Sequence, residues 1–91
     1  MPEATPDEQV ETFLTPRDWL RYAVSRFLSA DLAFGHGATT ALDEAAFLIL
    51  EGLGLPIDTL DPFLNAKLLR HERKRLGGLI EARVTTRKPA A

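Results

Sequence analysis

The residue best suited to acid–base chemistry is His36, because an imidazole titrates near neutral pH. It stands between Gly35 and Gly37 and closely follows Phe34. Glycine reaches positive φ at little steric cost, so this stretch predicts a sharp joint between two helices, with Phe34 packed inward and His36 at the corner. A histidine at such a joint often bonds a free helix-end carbonyl, and no nucleophile or second histidine is near it in the sequence. We therefore interpret His36 as a structural or positioning residue rather than a catalytic one.

Two further residues of catalytic type, Asp43 and Glu44, are adjacent. Neighbouring positions of a helix point about 100° apart, so the two carboxylates do not comfortably share a proton or a metal ion. Acidic residues in a first helical turn complement the helix dipole, which is the simpler interpretation. The chain has no cysteine, and its two histidines are 35 positions apart, which gives no metal-ligand spacing. We therefore predict no catalytic, cofactor-binding or metal-binding residue in these 91 residues.

Charge is distributed unevenly along the chain. Residues 1–66 contain three arginines against eleven acidic residues, whereas residues 67–91 contain eight basic residues against two glutamates, and the net charge is −2. Segment 31–61 has no Lys or Arg and could attract a basic protein. A basic cluster could attract phosphate and comprises Arg70, Arg73, Lys74 and Arg75. The alternative is that the acidic segment and the basic cluster are both solvated helix faces and loops. The net negative charge of the chain argues against a nucleic-acid-binding protein.

Apolar spacing predicts an all-α fold, a small helical bundle of about four to five helices. Residues 1–13 contain two prolines, four acids and few aliphatic residues, which predicts a flexible N-terminal tail. Thr15 and Pro16 predict the cap and first turn of a helix that ends near Ala30. Its predicted buried stripe comprises Leu20, Ala23, Val24, Phe27 and Leu28.

A second helix is predicted from a cap at Thr39 and Thr40 to about Leu53. It is apolar nearly all round, so we expect it to be the most buried element. The signals that end it and turn the chain are Gly52, Gly54 and Pro56.

The C-terminal third predicts a short helix from Asp61 to about Lys67 and a long helix from about Arg70 to Arg87. Gly77-Gly78 stands inside the long helix, where each glycine costs about 1 kcal/mol relative to alanine. We therefore expect either a kink or close packing there. The chain is long enough for one core, so residues 14–88 are predicted to form a single helical domain.

Trp19 and Tyr22 flank the stripe of the first predicted helix. Two interpretations are open for them. They could form an exposed aromatic patch that contacts a partner protein, or they could complete the edge of the core.

A family resemblance rests on three stretches, Trp19–Phe27, Phe34–Gly37 and Leu55–Asp58. Together they resemble the N-terminal helical domain of the ribosomal protein L3 glutamine methyltransferases, which belong to the protein-glutamine N5-methyltransferases. The resemblance covers residues 14–91. It implies that the complete enzyme transfers a methyl group from S-adenosylmethionine to a glutamine side-chain nitrogen of L3. It also implies that this domain orients the substrate protein, with Phe34, Gly35, His36, Gly37, Trp19 and Tyr22 as candidate substrate contacts or structural joint.

The catalytic motifs of that family, a glycine-rich cofactor loop and an Asn-Pro-Pro-Tyr motif, do not occur in this sequence. The resemblance therefore implies a cofactor-binding catalytic domain in cis, with residues 89–91 as the start of the linker to it. No apolar run approaches the roughly 20 residues that cross a bilayer, so we predict a cytoplasmic protein. Two alternatives remain, the corresponding domain of the release-factor glutamine methyltransferases and a stand-alone helical interaction module. RNA-phosphate contact during ribosome assembly also stays open.

Overall fold

The computed structural model describes residues 5–33 and 40–87, and this part of the chain is an all-α bundle. Four α-helices and one 3-10 helix follow each other, and no strand occurs among the described residues: α1 (Pro6–Thr12), α2 (Pro16–Ser29), α3 (Ala41–Leu53), the 3-10 helix (Asp61–Phe63) and α4 (Arg70–Thr86). The predicted fold class is confirmed. The predicted short helix to Lys67 is wrong in length, because the helical turn ends at Phe63.

Local side-chain chemistry sets the ends of α2 and α3. Thr15 Oγ1 accepts from the amide of Asp18 at 3.3 Å, and Asp18 Oδ2 accepts from the amide of Thr15 at 3.2 Å, a reciprocal capping box. Thr40 Oγ1 likewise accepts from the amide of Asp43 at 3.1 Å. Helix α3 ends at Leu53 and is capped by Gly54, whose φ of 71° is a left-handed conformation that glycine adopts readily.

Helix α3 is the centre of the bundle and packs against both α2 and α4. Its inner face carries Ala45, Leu48 and Ile49, which are buried. The other helices contribute Trp19, Ala23, Phe27, Leu76 and Ile80, which are fully buried. The prediction that α3 is the most buried element agrees with this arrangement.

The buried stripe of α2 is rotated relative to its prediction. Trp19, Ala23 and Phe27, spaced at i, i+4 and i+8, face the core, whereas Leu28 is 65% exposed. The rings of Trp19 and Phe27 remove more apolar surface from water than an aliphatic side chain such as Leu28 would. Packing of these rings therefore decides which face of α2 points inward.

Helix α1 occupies residues 6–12 of the segment whose composition predicts a flexible tail. Thr5 caps the helix by accepting from the amide of Glu8 at 3.2 Å. Gln9 and Val10 are buried, and α1 packs against α4. The composition of the segment is polar, and only its contacts with the rest of the fold order it.

Basic residues of α4 hold α1 in place. Arg73 donates through Nε to the carbonyl oxygen of Val10 at 2.7 Å, and Arg70 forms an ion pair with Glu11. The pKa of the exposed Glu11 carboxyl is lowered by its hydrogen bond to Arg70 and by the positive charge of that guanidinium. Two residues of the predicted phosphate-attracting cluster therefore serve an internal contact.

Glycines let the helices approach closely. A Cβ on Gly77 would lie 3.3 Å from Cη2 of Trp19, whereas a Cβ on Gly78 would meet nothing within 4 Å. A Cβ on Gly52 would lie 2.8 Å from side-chain atoms of Leu76 and Leu79. Helix α4 continues through Gly77-Gly78 without a break, and close packing accounts for Gly77 but not for Gly78. Gly52 lies inside α3 at its crossing with α4, in addition to standing near the helix end.

The two adjacent glycines provide a first test of the packing. Replacing Gly78 by alanine should raise the free energy of unfolding by about 1 kcal/mol, because alanine favours a helix interior and nothing obstructs its methyl group. Gly77→Ala should show less of this gain or none, because its methyl group would press on the buried Trp19. Urea unfolding followed by circular dichroism measures both. An equal gain for both variants would contradict the close approach.

The central position of α3 gives a second prediction. Ile49→Ala should lower the free energy of unfolding by about 2–5 kcal/mol, because it leaves a cavity at a fully buried site. The matched control is Leu28→Ala on the exposed side of α2, which should change it by less than about 0.5 kcal/mol. Urea unfolding measures the free energy of both variants. Similar losses of stability in the two would contradict the central position of α3.

Candidate functional site

The sequence-predicted joint Phe34–Gly37 lies outside the described residues. Trp19 lies within them and is fully buried, with its Nε1 donating to the carbonyl oxygen of Phe13 at 2.8 Å. Burial of the whole indole excludes the exposed-patch interpretation for this residue. The alternative, a core residue, is what the structure shows.

Tyr22 is half-buried beside Trp19 and belongs to an aromatic cluster. The ring centroid of Phe13 lies 5.1 Å from the ring centroids of both Trp19 and Tyr22, whose own centroids are 6.2 Å apart. The hydroxyl of Tyr22 accepts from Nε2 of Gln9 at 2.9 Å. The cluster therefore ties α1 and the segment after it to α2.

Asp43 and Glu44 occupy different environments, as their adjacency on a helix predicts. Asp43 is exposed, whereas Glu44 is 1% exposed and forms an ion pair with Arg83, which is 3% exposed. Both residues lie in the first turn of α3, as the helix-dipole interpretation predicts. A buried carboxylate needs a paired charge and hydrogen bonding, and α4 supplies the charge and one hydrogen bond, from Arg83 Nε to Glu44 Oε2.

Arg83 also reaches the end of α2. Its Nη2 donates to the carbonyl oxygen of Ala33 at 2.6 Å, and its guanidinium carbon lies 6.0 Å from the ring centroid of Phe27. One turn later, Arg87 Nη2 lies 3.1 Å from the carbonyl oxygen of Ala30 and 3.2 Å from that of Asp31. The last turn of α4 therefore binds the carbonyl groups that follow α2, which lack partners of their own in the helix.

A sequence signal for the buried pair exists, although the residue-type analysis missed it. Arg83 follows Leu76 by seven positions and Ile80 by three, so it lies on the apolar face of α4. Glu44 lies one helical turn before Leu48 on the inner face of α3. Two opposite charges on inward faces of two helices predict a buried ion pair, provided that the helices are known to pack together.

A cleft lies between α2, α3 and the segment that joins α3 to the 3-10 helix. Its volume is about 380 Å³, within the range of small binding sites. Apolar side chains form the floor, and three carboxylates stand among its lining residues. The lining comprises Leu20, Leu42, Asp43, Ala46, Leu50, Asp58, Leu60, Asp61 and Leu64.

A second groove lies between α1 and α4 and has a mixed character. Its volume is about 280 Å³. Its charged lining residues are Asp7, Lys74 and Glu81, and its floor includes Gly77 and Gly78. Its charged residues have both signs, so its electrostatic preference is weaker than that of the cleft.

Two classes of site were searched for in the described part of the chain. No group of three or more His, Cys, Asp or Glu side chains could hold a metal ion there. Within residues 5–33 and 40–87, no helix is both long and apolar enough to span a bilayer. What these residues do offer is an acidic cleft with an apolar floor.

Comparison with known proteins identifies homologues. The chain is 58% identical over 77 residues to the ribosomal protein uL3 glutamine methyltransferase of Bordetella pertussis. It is 54% identical over 79 residues to the protein of that name from Burkholderia pseudomallei and 49% identical over 85 residues to that from Neisseria meningitidis serogroup B. These alignments cover 85%, 87% and 93% of this chain. No family model and no solved structure matches it.

The same alignments cover only 26–28% of each relative. The chain therefore spans about a quarter of the length of the curated relatives that it matches. The family resemblance read from the sequence is confirmed: the chain is homologous to a segment of the ribosomal protein uL3 glutamine methyltransferases.

The buried pair gives a third prediction. Arg83→Met should lower the free energy of unfolding by about 3–5 kcal/mol, because it leaves the Glu44 carboxylate buried without its partner. The double variant Glu44→Leu/Arg83→Met should recover most of that loss, because no buried charge remains. Urea unfolding at neutral pH measures both.

The control for that experiment is the ion pair between Arg26 and Glu81, in which the Glu81 side chain is 55% exposed. Glu81→Gln should cost less than about 1 kcal/mol, because solvent screens an exposed charge. If Arg83→Met were as mild as Glu81→Gln, the buried pair would not anchor α4.

Proposed function

We propose that this chain is the substrate-recognition domain of an S-adenosylmethionine-dependent methyltransferase that modifies a glutamine side chain of ribosomal protein L3. The observation that carries the proposal is the 58% identity over 77 residues with the uL3 glutamine methyltransferase of Bordetella pertussis. In the proposed enzyme, the segment is N-terminal, and a catalytic domain in cis follows the linker that starts at residues 89–91. That domain binds S-adenosylmethionine and supplies the methyl group.

The physical properties of the chain suit a recognition role. Charge pairs and close helix crossings fix the bundle, so it presents a defined surface without first having to fold on its partner. Segment 31–61 carries negative charge without any Lys or Arg. Complementary charge accelerates encounter with a basic ribosomal protein and selects against acidic ones. The binding energy of contacts between L3 and this surface would position the target glutamine in the distant catalytic site.

The joint Phe34–Gly37 keeps its predicted role as a substrate contact or structural joint. In the sequence it directly follows Ala33, whose carbonyl oxygen accepts a hydrogen bond from Arg83. The proposed enzyme acts in the cytoplasm, where L3 is made and assembled into ribosomes.

The release-factor methyltransferases are the second candidate, because their N-terminal domain shares the helical design. Eight homologues of this chain are all named uL3 glutamine methyltransferases, and these names favour L3 as the substrate. A stand-alone interaction module remains the candidate from a different functional class. The three proposals differ in which protein the chain binds and in whether it acts together with a catalytic domain.

A domain exchange tests the proposal. The 77 aligned residues of the Bordetella pertussis enzyme are replaced by the corresponding residues of this chain, and a second variant lacks them altogether. The chimera should methylate L3, whereas the deletion should lose about 100-fold or more in kcat/KM, because the remote binding energy that positions the substrate is gone. Mass spectrometry of L3 measures methylation, with a release factor as the competing substrate.

The control is binding of S-adenosylmethionine by calorimetry, which the deletion should retain if its catalytic domain is folded. Undiminished L3 methylation by the deletion variant would rule out a recognition role for this segment. Methylation of the release factor in place of L3 by the chimera would favour the second candidate.

A further inference from the structure

The cleft between α2 and α3 combines apolar lining residues with charged residues of one sign, whereas the charged residues of the other groove have both signs. Leu20, Leu42 and Ala46 give the cleft an apolar floor, and Leu42 is 54% exposed although it is a large aliphatic side chain. Asp43, Asp58 and Asp61 are the charged residues of its lining. An apolar surface bordered by charges of one sign is a frequent form of protein-binding site.

The charges of Asp58 and Asp61 have no basic neighbour in the lining of the cleft. No Lys or Arg is among its lining residues, and none occurs anywhere in segment 31–61. In the described part of the chain, neither Asp58 nor Asp61 takes part in an ion pair. Nearby Arg17 donates to the side chain of Asn65 at 3.0 Å. The cleft therefore presents a net negative field to solvent.

The backbone around Asp58 fixes one side of the cleft. Asp58 has a φ of 61°, a left-handed conformation that Asp and Asn tolerate better than most residues. The hydroxyl of Thr59 donates to the carbonyl oxygen of Pro56 at 2.5 Å and closes this turn. Asp58 thus occupies a turn with a local hydrogen bond, and Asn can replace it without changing the backbone.

We infer that this cleft docks a basic segment of the methylated protein, a stretch in which one apolar side chain is flanked by Lys or Arg. The apolar side chain would cover Leu42 and its neighbours, and the cationic groups would meet Asp58 and Asp61. Lys and Arg suit such a site because their aliphatic stems cover apolar surface while their charged ends reach the carboxylates. This inference rests on the proposed function, since it names the surface through which the domain recognises its substrate.

Charge complementarity selects this occupant over others. An anionic ligand or a nucleic acid would be repelled by the rim carboxylates. A bound metal ion would need a cluster of ligating side chains, which the described residues do not provide. A basic protein segment satisfies both the floor and the rim.

The test compares carboxylates inside and outside the cleft, with purified ribosomal protein L3 as the probe and calorimetry as the measurement. The double variant Asp58→Asn/Asp61→Asn keeps the size of both side chains and removes both charges. It should raise the Kd for L3 by about tenfold at low ionic strength, and the difference from the unmodified chain should shrink in high salt.

The matched control is Asp31→Asn. Asp31 is exposed, lies in the same segment without basic residues and also has a left-handed φ, 53°, but it does not line the cleft. Its backbone contact with Arg87 uses the carbonyl oxygen, which the substitution keeps. Asp31→Asn should therefore leave the Kd for L3 within about twofold, the effect of an exposed charge far from the contact.

A second pair of variants tests the floor. Leu42→Ser should raise the Kd by about fivefold at every salt concentration, because it removes apolar contact area rather than charge. Leu28→Ser, on the exposed side of α2, is the control and should have no effect. Circular dichroism and thermal unfolding of each variant verify that the fold is intact.

The outcomes separate the cleft from the proposed function. If the unmodified chain binds L3 and the cleft variants bind as tightly as their controls, the cleft is not the docking site, whereas the recognition role stands. An equal loss in Asp31→Asn and in the double variant would show diffuse attraction and also overturn the cleft. If the unmodified chain does not bind L3, the recognition role itself fails, and the cleft with it.

Discussion

Helix α3 has apolar side chains on most of its circumference, and this one constraint determines the rest of the bundle. A helix of that kind must be covered on several sides, so α2 and α4 pack against it from different directions. The crossing with α4 is close because Gly52 has no side chain at the point of contact. The remaining elements are short and follow the covering helices, with α1 held against α4.

Charged residues orient the covering helices around α3. Glu44 and Arg83 meet in the interior, and Arg83 and Arg87 also bind carbonyl groups at the end of α2. Apolar packing alone tolerates sliding and rotation, whereas a buried ion pair is costly in any arrangement that separates it. The last turn of α4 therefore links all three long helices, and in the proposed enzyme it is also the turn nearest to the catalytic domain in the sequence.

The distribution of charge separates internal from external roles. Basic residues of α4 are used within the fold, since Arg70 and Arg73 hold α1. Asp58 and Asp61, which line the cleft, form no ion pair within the described part of the chain. A sequence with a net charge of −2 thus contains a cleft whose lining has three carboxylates and no Lys or Arg, an uneven distribution of charge. That asymmetry fits a domain that binds a basic protein rather than a nucleic acid.

Local rules were enough to predict a large part of this protein. The caps at Thr15 and Thr40, the apolar surface of α3 and the left-handed end at Gly54 all follow from residues within a few positions of each other. The all-α class and the family resemblance rest on the same near-neighbour patterns. Contacts between distant residues were decided by the tertiary structure alone.

Those contacts include the ordering of α1, the burial of Trp19, the pairing of Glu44 with Arg83 and the assembly of the cleft. Each joins residues that are far apart in the chain, and Glu44 and Arg83 are 39 positions apart. The type of a single residue does not determine which distant side chain will neutralise its charge or cover its surface. Burial depends on how helices pack around α3, and only the folded chain determines that geometry.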